Sequence, residues 1–241
     1  MNAITGLPRA GSTLLCNLLN QRDDCYASTT SILPRILHNI SDTVSGAIEF
    51  KAALDRDRKR ETERVERAVR AFVKGWYGDA DREHVFDKSR GWTSNFDLFG
   101  QLWPQGKMIV LIRDLRNVFA SIEKQDRRTG IFREVHASIW TRAENMFSPT
   151  GIIGAPLDAL QDLLRRNRKH VFIADPRDES IVGHAHAYPL MILRYESLAE
   201  FPQESMAAVA RFLGIKQAKH DIDNVRNTAQ DPDGLYLYKF P

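Results

Sequence analysis

The sequence predicts an α/β fold of three layers: a central, mostly parallel sheet flanked by helices. Three observations carry that prediction. Short apolar runs of strand length alternate with longer stretches of helical periodicity. The first such run, Ala3-Ile4-Thr5, passes through a glycine-bearing turn into an apolar helical stretch with Leu14, Leu15, Leu18 and Leu19. A second run, Lys107 to Arg113, holds five consecutive apolar residues, as a strand buried on both faces does.

In chain order, the turn Gly6-Leu7-Pro8-Arg9-Ala10-Gly11-Ser12-Thr13 has the glycine spacing of a P-loop, G-x-x-x-x-G-K-[ST], with Ser12 where the lysine belongs. The fold expected is therefore P-loop NTPase-like, a three-layer arrangement with an anion cradle of free N–H groups at a helix start. Without the lysine that reaches β/γ-phosphates, a metal-dependent ATPase is disfavoured. Arg9 inside the turn suits a planar multi-oxygen group, and the loop favours sulfuryl over phosphoryl transfer. The bland alternative is a tight turn into a helix.

Residues 25–45 are rich in Ser and Thr and read as irregular. A long helix follows from about Glu49 to Trp76, with an apolar stripe at Val65, Ala68, Val69, Phe72, Val73 and Trp76. Its charged middle, Asp55 to Arg64, reads first as a solvated face and alternatively as a patch for an acidic acceptor. A strand from His84 to Asp87 comes next, then a short helix from Asn95 to Trp103. The strand ending at Arg113 leads into a helix through Val118, Phe119 and Ile122 that Asp114 is placed to cap. Helices are expected at Ile131 to Phe147 and Leu157 to Arg166, joined by a Pro/Gly turn, and strands at Val171–Ala174 and Leu190–Arg194. Pro202 opens a last helix that Gly214 stops.

At 241 residues, with 43% apolar composition, the chain is long enough to bury a full core, and residues 1–241 read as one domain. A net charge of +3 fits an anionic ligand and is too small and unclustered for a nucleic-acid partner. Two cysteines, Cys16 and Cys25, exclude a disulfide framework, and Cys16 reads as a small buried apolar residue. No apolar run is long enough for a membrane span, and no leader is expected before the first strand, so the expected location is cytoplasmic. The oligomeric state is not legible.

Two further cations stand at carboxyl ends of predicted strands, where open α/β sheets bind ligands. Arg113 closes its strand, with Ser121 eight residues on; the alternative is that Arg113 pairs only with Asp114 or a surface carboxylate. Lys88 follows the strand at 84–87, with Asp87 beside it to hold it; the alternative is a surface Lys–Asp pair of little energy.

The pair Gly6-Leu-Pro-Arg-Ala-Gly-Ser-Thr13 and Ile112-Arg-Asp-Leu-Arg-Asn-Val-Phe-Ala-Ser121 resembles the two nucleotide-binding signatures of the sulfotransferase family, whose donor is 3′-phosphoadenosine 5′-phosphosulfate (PAPS) and whose product is PAP. The resemblance spans residues 2 to about 214, through Ser31-Ile-Leu-Pro-Arg-Ile-Leu37 and Leu193-Arg-Tyr-Glu-Ser-Leu198. The loop arginine is closer to the tyrosylprotein-type and bacterial or phage branches. The resemblance implies that Arg9, Ala10, Gly11, Ser12, Thr13 and Leu14 bind the 5′-phosphosulfate, that Arg113 and Ser121 hold the 3′-phosphate, and that Tyr195 completes the nucleotide pocket. It implies catalytic roles for Arg9 and for Lys88 at the bridging oxygen, a small-molecule or peptide acceptor, in-line transfer to a hydroxyl or amine, and no metal. Two departures stand out. Where tyrosylprotein-type enzymes carry a glutamate this chain has Ser28-Thr29-Thr30-Ser31, and where cytosolic ones carry a histidine it has Arg90. The general base is left among Asp87, Asp23, Asp24 and His38. The basic, glycine-bearing segment that closes the adenine pocket has no clear match near the C-terminus, where Lys239 is a weak candidate. A non-catalytic PAPS- or PAP-binding protein and a P-loop kinase or NTPase remain as alternatives, separable by PAPS turnover and by magnesium dependence of nucleotide binding.

Overall fold

The computed structural model describes residues 1–129, 138–174 and 189–229. Six parallel strands form its sheet, in the order β2-β3-β1-β4-β6-β5. They are β1 (Asn2–Gly6), β2 (Cys25–Thr30), β3 (His84–Lys88), β4 (Met108–Ile112), β5 (Val171–Ile173) and β6 (Leu190–Arg194). Successive side chains of a strand point to opposite faces. Every residue of β1 is buried, as are four of five in β4 and in β6, so both faces are covered. The covering helices are α1 (Ser12–Leu19), α2 (Leu33–Gly46), α3 (Ile48–Trp76), α4 (Gly91–Ser94), α5 (Phe96–Leu102), α6 (Leu115–Thr129), α7 (Ile139–Phe147), α8 (Gly154–Arg166), α9 (Tyr195–Glu200) and α10 (Pro202–Leu213). The mostly parallel, helix-flanked sheet expected from the sequence is present.

The main core joins Ile4, Leu15, Leu18, Phe86, Met108 to Leu111, Leu190 and Phe212. On one side Trp92 packs edge-on against Phe99 and Trp103, at ring separations of 5.4 and 6.2 Å. A smaller cluster of Val118, Ile122, Met146 and Ile153 seats α6 on α7 and the turn before α8. Cys16 is fully buried in the core, as expected.

Several expectations need correction. The stretch 25–45 is not irregular: it contains β2 and α2. As an edge strand with a register shift between Ala27 and Thr30, β2 buries only Cys25, Ala27 and Ser28, which left no apolar run to read. The α3 stripe is only partly a core face. Val69 and Val73 are buried, whereas Phe72 and Trp76 are 38% and 43% exposed and pack on each other. The helical backbone of α3 is broken at Asp57. The strand expected at Leu190–Arg194 is present with those bounds, and Tyr195 begins α9 directly after it. The helix expected at 131–147 is described from Ile139, capped by Ser138, whose hydroxyl accepts the Thr141 N–H at 3.1 Å; its first part, 131–137, lies outside the described residues, as does Lys239. Gly214 ends α10 with φ of 72°, the left-handed cap expected there.

Candidate active site

Adjacent strands in a sheet lie about 4.8 Å apart, and the four inner strands β3, β1, β4 and β6 each deliver one part of the site at their carboxyl ends. Across the sheet these are Lys88, the Gly6–Thr13 loop, Arg113 and Tyr195. They line one cavity of about 270 Å³. Lys88 and Arg113 therefore stand two strands apart, about 10 Å along the sheet, with the loop between them.

The loop is held in an uncommon backbone. Gly11 precedes α1 with φ of 88°, and Arg9 has φ of 57°, the one non-glycine residue in the left-handed region among the described residues. A Cβ at Gly11 would lie 2.5 Å from Cδ2 of Tyr195, so only glycine lets the ring pack on the loop. The Arg113 guanidinium lies over that ring, 4.1 Å from its centroid, and Arg113 Nη1 donates to the Arg9 carbonyl at 2.9 Å. Arg9 Nε donates to Ser121 Oγ at 3.0 Å. Arg9, Arg113, Ser121 and Tyr195 thus form one cluster. Asp114 does not take Arg113. Its carboxylate caps α6 by accepting the Arg116 N–H at 2.9 Å and pairs with the Arg116 guanidinium at 2.7 Å, which holds its pKa down to about 2. Arg113 Nε is buried without a hydrogen-bond partner, a donor suited to an anionic ligand.

Lys88 is the last residue of β3 and only 3% exposed. Its Nζ donates to Thr13 Oγ1 at 3.3 Å and to the Ala229 carbonyl at 3.2 Å. Its own N–H donates to Ser28 Oγ at 2.9 Å. It is a buried loop-facing cation, not half of a surface pair. Asp87 does not steer it. Neighbours on a strand face opposite sides, and the fully buried Asp87 accepts from the Tyr77 hydroxyl and from Trp92 Nε1. Burial raises the Asp87 pKa and the Tyr77 pKa with it.

The other base candidates fare no better. Asp24 precedes β2 at the amino end of the sheet and is gripped by Arg22 at 2.6 Å, which pulls its pKa down to about 2. Asp23 sits beside it. His38 lies on α2 against Asp42 at 3.2 Å. Among the described residues lining the cavity there is no Asp, Glu or His.

Of the residues expected at the donor site, Arg9, Gly11, Ser12, Thr13, Lys88, Arg113, Ser121 and Tyr195 line the cavity. Ala10 is buried and Leu14 packs against the core, so their side chains stand behind the wall. The cavity adds Thr30, Ser89, Arg90, Gln125 and Ile152. Gln125 was legible as the residue one helical turn beyond Ser121; Ile152, from the turn before α8, carried no local signal. Thr5 orients the Arg90 turn: its hydroxyl donates to the Arg90 carbonyl at 3.3 Å and pairs with the Thr93 hydroxyl at 2.7 Å.

A family model described as "Sulfotransferase family" matches residues 3–219. The chain belongs to the sulfotransferase family. That membership supports sulfotransferase activity. Sulfotransferase domains also share its fold. The domain of the Synechococcus PCC 7002 olefin synthase is 18% identical, with a TM-score of 0.50, over 99% of this chain and 79% of that one. The domain from the curacin biosynthetic pathway is 16% identical, with a TM-score of 0.50, over 90% and 74%. The sulfotransferase from Alicyclobacillus acidocaldarius is 14% identical, with a TM-score of 0.55, over 98% and 93%. No curated protein sequence matches significantly. Among the described residues no helix is long and apolar enough to cross a membrane, and no group of three or more His, Cys, Asp or Glu is placed to hold a metal ion.

Proposed function

We propose that the chain is a PAPS-dependent sulfotransferase acting, as one domain, on a hydroxyl or amine acceptor. The observation that carries this reading is the linear order of the cavity wall: Lys88, the glycine loop, then Arg113 with Ser121. A donor with a sulfonate-bearing end and a separate 3′-phosphate needs two cationic stations with an anion cradle between them. The residues fit such a donor. Gly11, Ser12 and Thr13 start α1 and offer N–H groups at its positive end. Arg113 and Ser121 would hold the 3′-phosphate, and Tyr195 would support the Arg113 guanidinium from below.

PAPS supplies the activated sulfuryl group. The S–O bond to the bridging oxygen breaks, its electron pair stays with PAP, and a new bond forms from sulfur to the acceptor, S–O with a hydroxyl or S–N with an amine. Lys88 and Arg9 would meet the charge that grows on the leaving oxygen and the sulfonate oxygens, an electrostatic contribution larger in the transition state than in the ground state. The acceptor proton leaves to a base that is not among the described lining residues.

The test is turnover and binding together. PAP should bind in EDTA by calorimetry, and labelled PAPS should transfer sulfur to an acceptor drawn from a phenol, alcohol and amine panel. Lys88→Ala should lower kcat more than it raises KM for PAPS. Binding without turnover would favour a PAPS- or PAP-binding protein, and an absolute magnesium requirement would favour an NTPase.

A further inference from the structure

The segment after α10 returns across α1, and side chains of that helix and its exit hold it there. Arg22 Nη1 donates to the Lys216 carbonyl at 2.7 Å. Gln21 exchanges two bonds of 2.8 Å with the backbone of Asp221. Asn20 Nδ2 donates to Thr228 Oγ1 at 3.1 Å. The centre of the clamp is Asn17, only 4% exposed. Its Oδ1 accepts the Thr228 N–H at 3.0 Å and the Ala229 N–H at 2.8 Å, and its Nδ2 donates to Asn227 Oδ1 at 3.2 Å.

At Ala229 the strap meets the candidate catalytic lysine. Ala229 is fully buried and its carbonyl accepts from Lys88 Nζ. That ammonium also donates to Thr13, four residues before Asn17 and therefore on the same face of α1, one turn earlier. One helix face thus presents two acceptors to Lys88: a hydroxyl directly, and a carbonyl through the backbone that Asn17 grips.

We propose that Asn17 is a positioning residue for the transfer reaction: by clamping residues 216–229 on α1 it sets the Ala229 carbonyl that aims the Lys88 ammonium at the loop. The proposal rests on the reading of Lys88 as the group that meets leaving-oxygen charge. Four aliphatic carbons separate the Lys88 backbone from its ammonium, so the side chain needs fixed acceptors to hold one direction. Thr13 holds the ammonium from α1, and Ala229 adds a point of attachment from the strap. An interaction realised chiefly in the transition state is lost in kcat, while donor binding through Arg113 and Ser121 is not touched.

The experiment uses the full chain and two readouts. The first is acetylation of Lys88 by sulfo-NHS acetate in the unliganded protein, followed by peptide mass spectrometry. Asn17→Leu should raise the Lys88 labelling rate by about tenfold or more, the equivalent of one lost charge-assisted bond. The second is steady-state release of PAP from PAPS. Asn17→Leu should lower kcat by about 10- to 100-fold with little change in KM for PAPS. Asn17→Asp keeps the accepting oxygen and should retain most of kcat. In a Lys88→Ala background, Asn17→Leu should cost almost nothing more, because it acts through that lysine. If Asn17→Leu does not fold, Thr228→Pro on the exposed strap removes one N–H that Asn17 accepts and applies the same test. An Asn17 that is only a staple of the fold would lower the melting temperature, cost the same in both backgrounds and leave Lys88 labelling unchanged; that result overturns the proposal. A wild-type chain that releases no PAP sinks the proposed function instead, and the labelling readout still decides whether Asn17 holds Ala229 on Lys88.

Discussion

Replacing Gly11 with alanine tests whether the loop, Tyr195 and Arg113 act as one unit. Two costs are separable. The first is backbone: at φ of 88° an alanine sits in the left-handed region, at about 1–2 kcal/mol. The second is steric: the new Cβ would stand 2.5 Å from Tyr195 Cδ2 and 3.1 Å from Cε2. The ring must move, an overpacking cost of about 1–3 kcal/mol. The Arg113 guanidinium rides on that ring at 4.1 Å and must shift with it. Gly214→Ala is the control. Its φ is 72°, and no atom lies within 4 Å of its Cβ position, so it carries the backbone cost alone. Urea unfolding should show Gly11→Ala less stable than Gly214→Ala by about the steric increment. Calorimetry should show Gly11→Ala losing at least about tenfold in affinity for 3′,5′-ADP, the loss of one charge-assisted contact, and Gly214→Ala losing none. Equal destabilisation by the two variants, with nucleotide affinity intact in both, would refute the coupling of loop, ring and guanidinium.

Arg113→Ala should abolish most of the preference for 3′,5′-ADP over 5′-ADP, while Ser121→Ala should remove less, about 1 kcal/mol for a neutral hydroxyl; equal losses for both nucleotides would make Arg113 structural. Arg9 holds a left-handed backbone, so Arg9→Gly should be more stable than Arg9→Ala by about 1 kcal/mol in urea unfolding. Both should lose PAP affinity by about 10- to 100-fold with the guanidinium; an Arg9→Gly no more stable than Arg9→Ala would remove the strain argument. Burial, with the nearby Arg22 charge second, holds the His220 imidazole below its ordinary pKa. The unfolded chain then takes up the proton first, near pH 6.5. The stability that the neutral ring contributes is complete above about that pH and falls as acid is added. Melting temperatures of the wild type and His220→Phe, measured from pH 8 to 5, should therefore diverge on acidification, with the wild type losing more; parallel curves would show that His220 does not titrate differently on folding.

Much of this molecule is written locally in the chain. The glycine spacing from Gly6 to Gly11, the apolar run from Met108 to Ile112 and the Asp114 cap are short-range signals, because a turn, a doubly buried strand and a helix start each depend on neighbours a few residues away. All six strands run parallel, and that common direction sends the loop, Lys88 and Arg113 to one edge. What the local signals left out is what depends on long-range contact. The edge strand β2 has no apolar run, because one side of it faces solvent. Asp87 sits beside Lys88 in sequence yet serves Tyr77 and Trp92, because the pleat turns neighbours to opposite faces. Ala229 meets Lys88 across 141 residues, through a strap with no periodicity of its own. Its place is decided by side chains on α1, and only the folded chain brings Asn17, Ala229 and the lysine to one point.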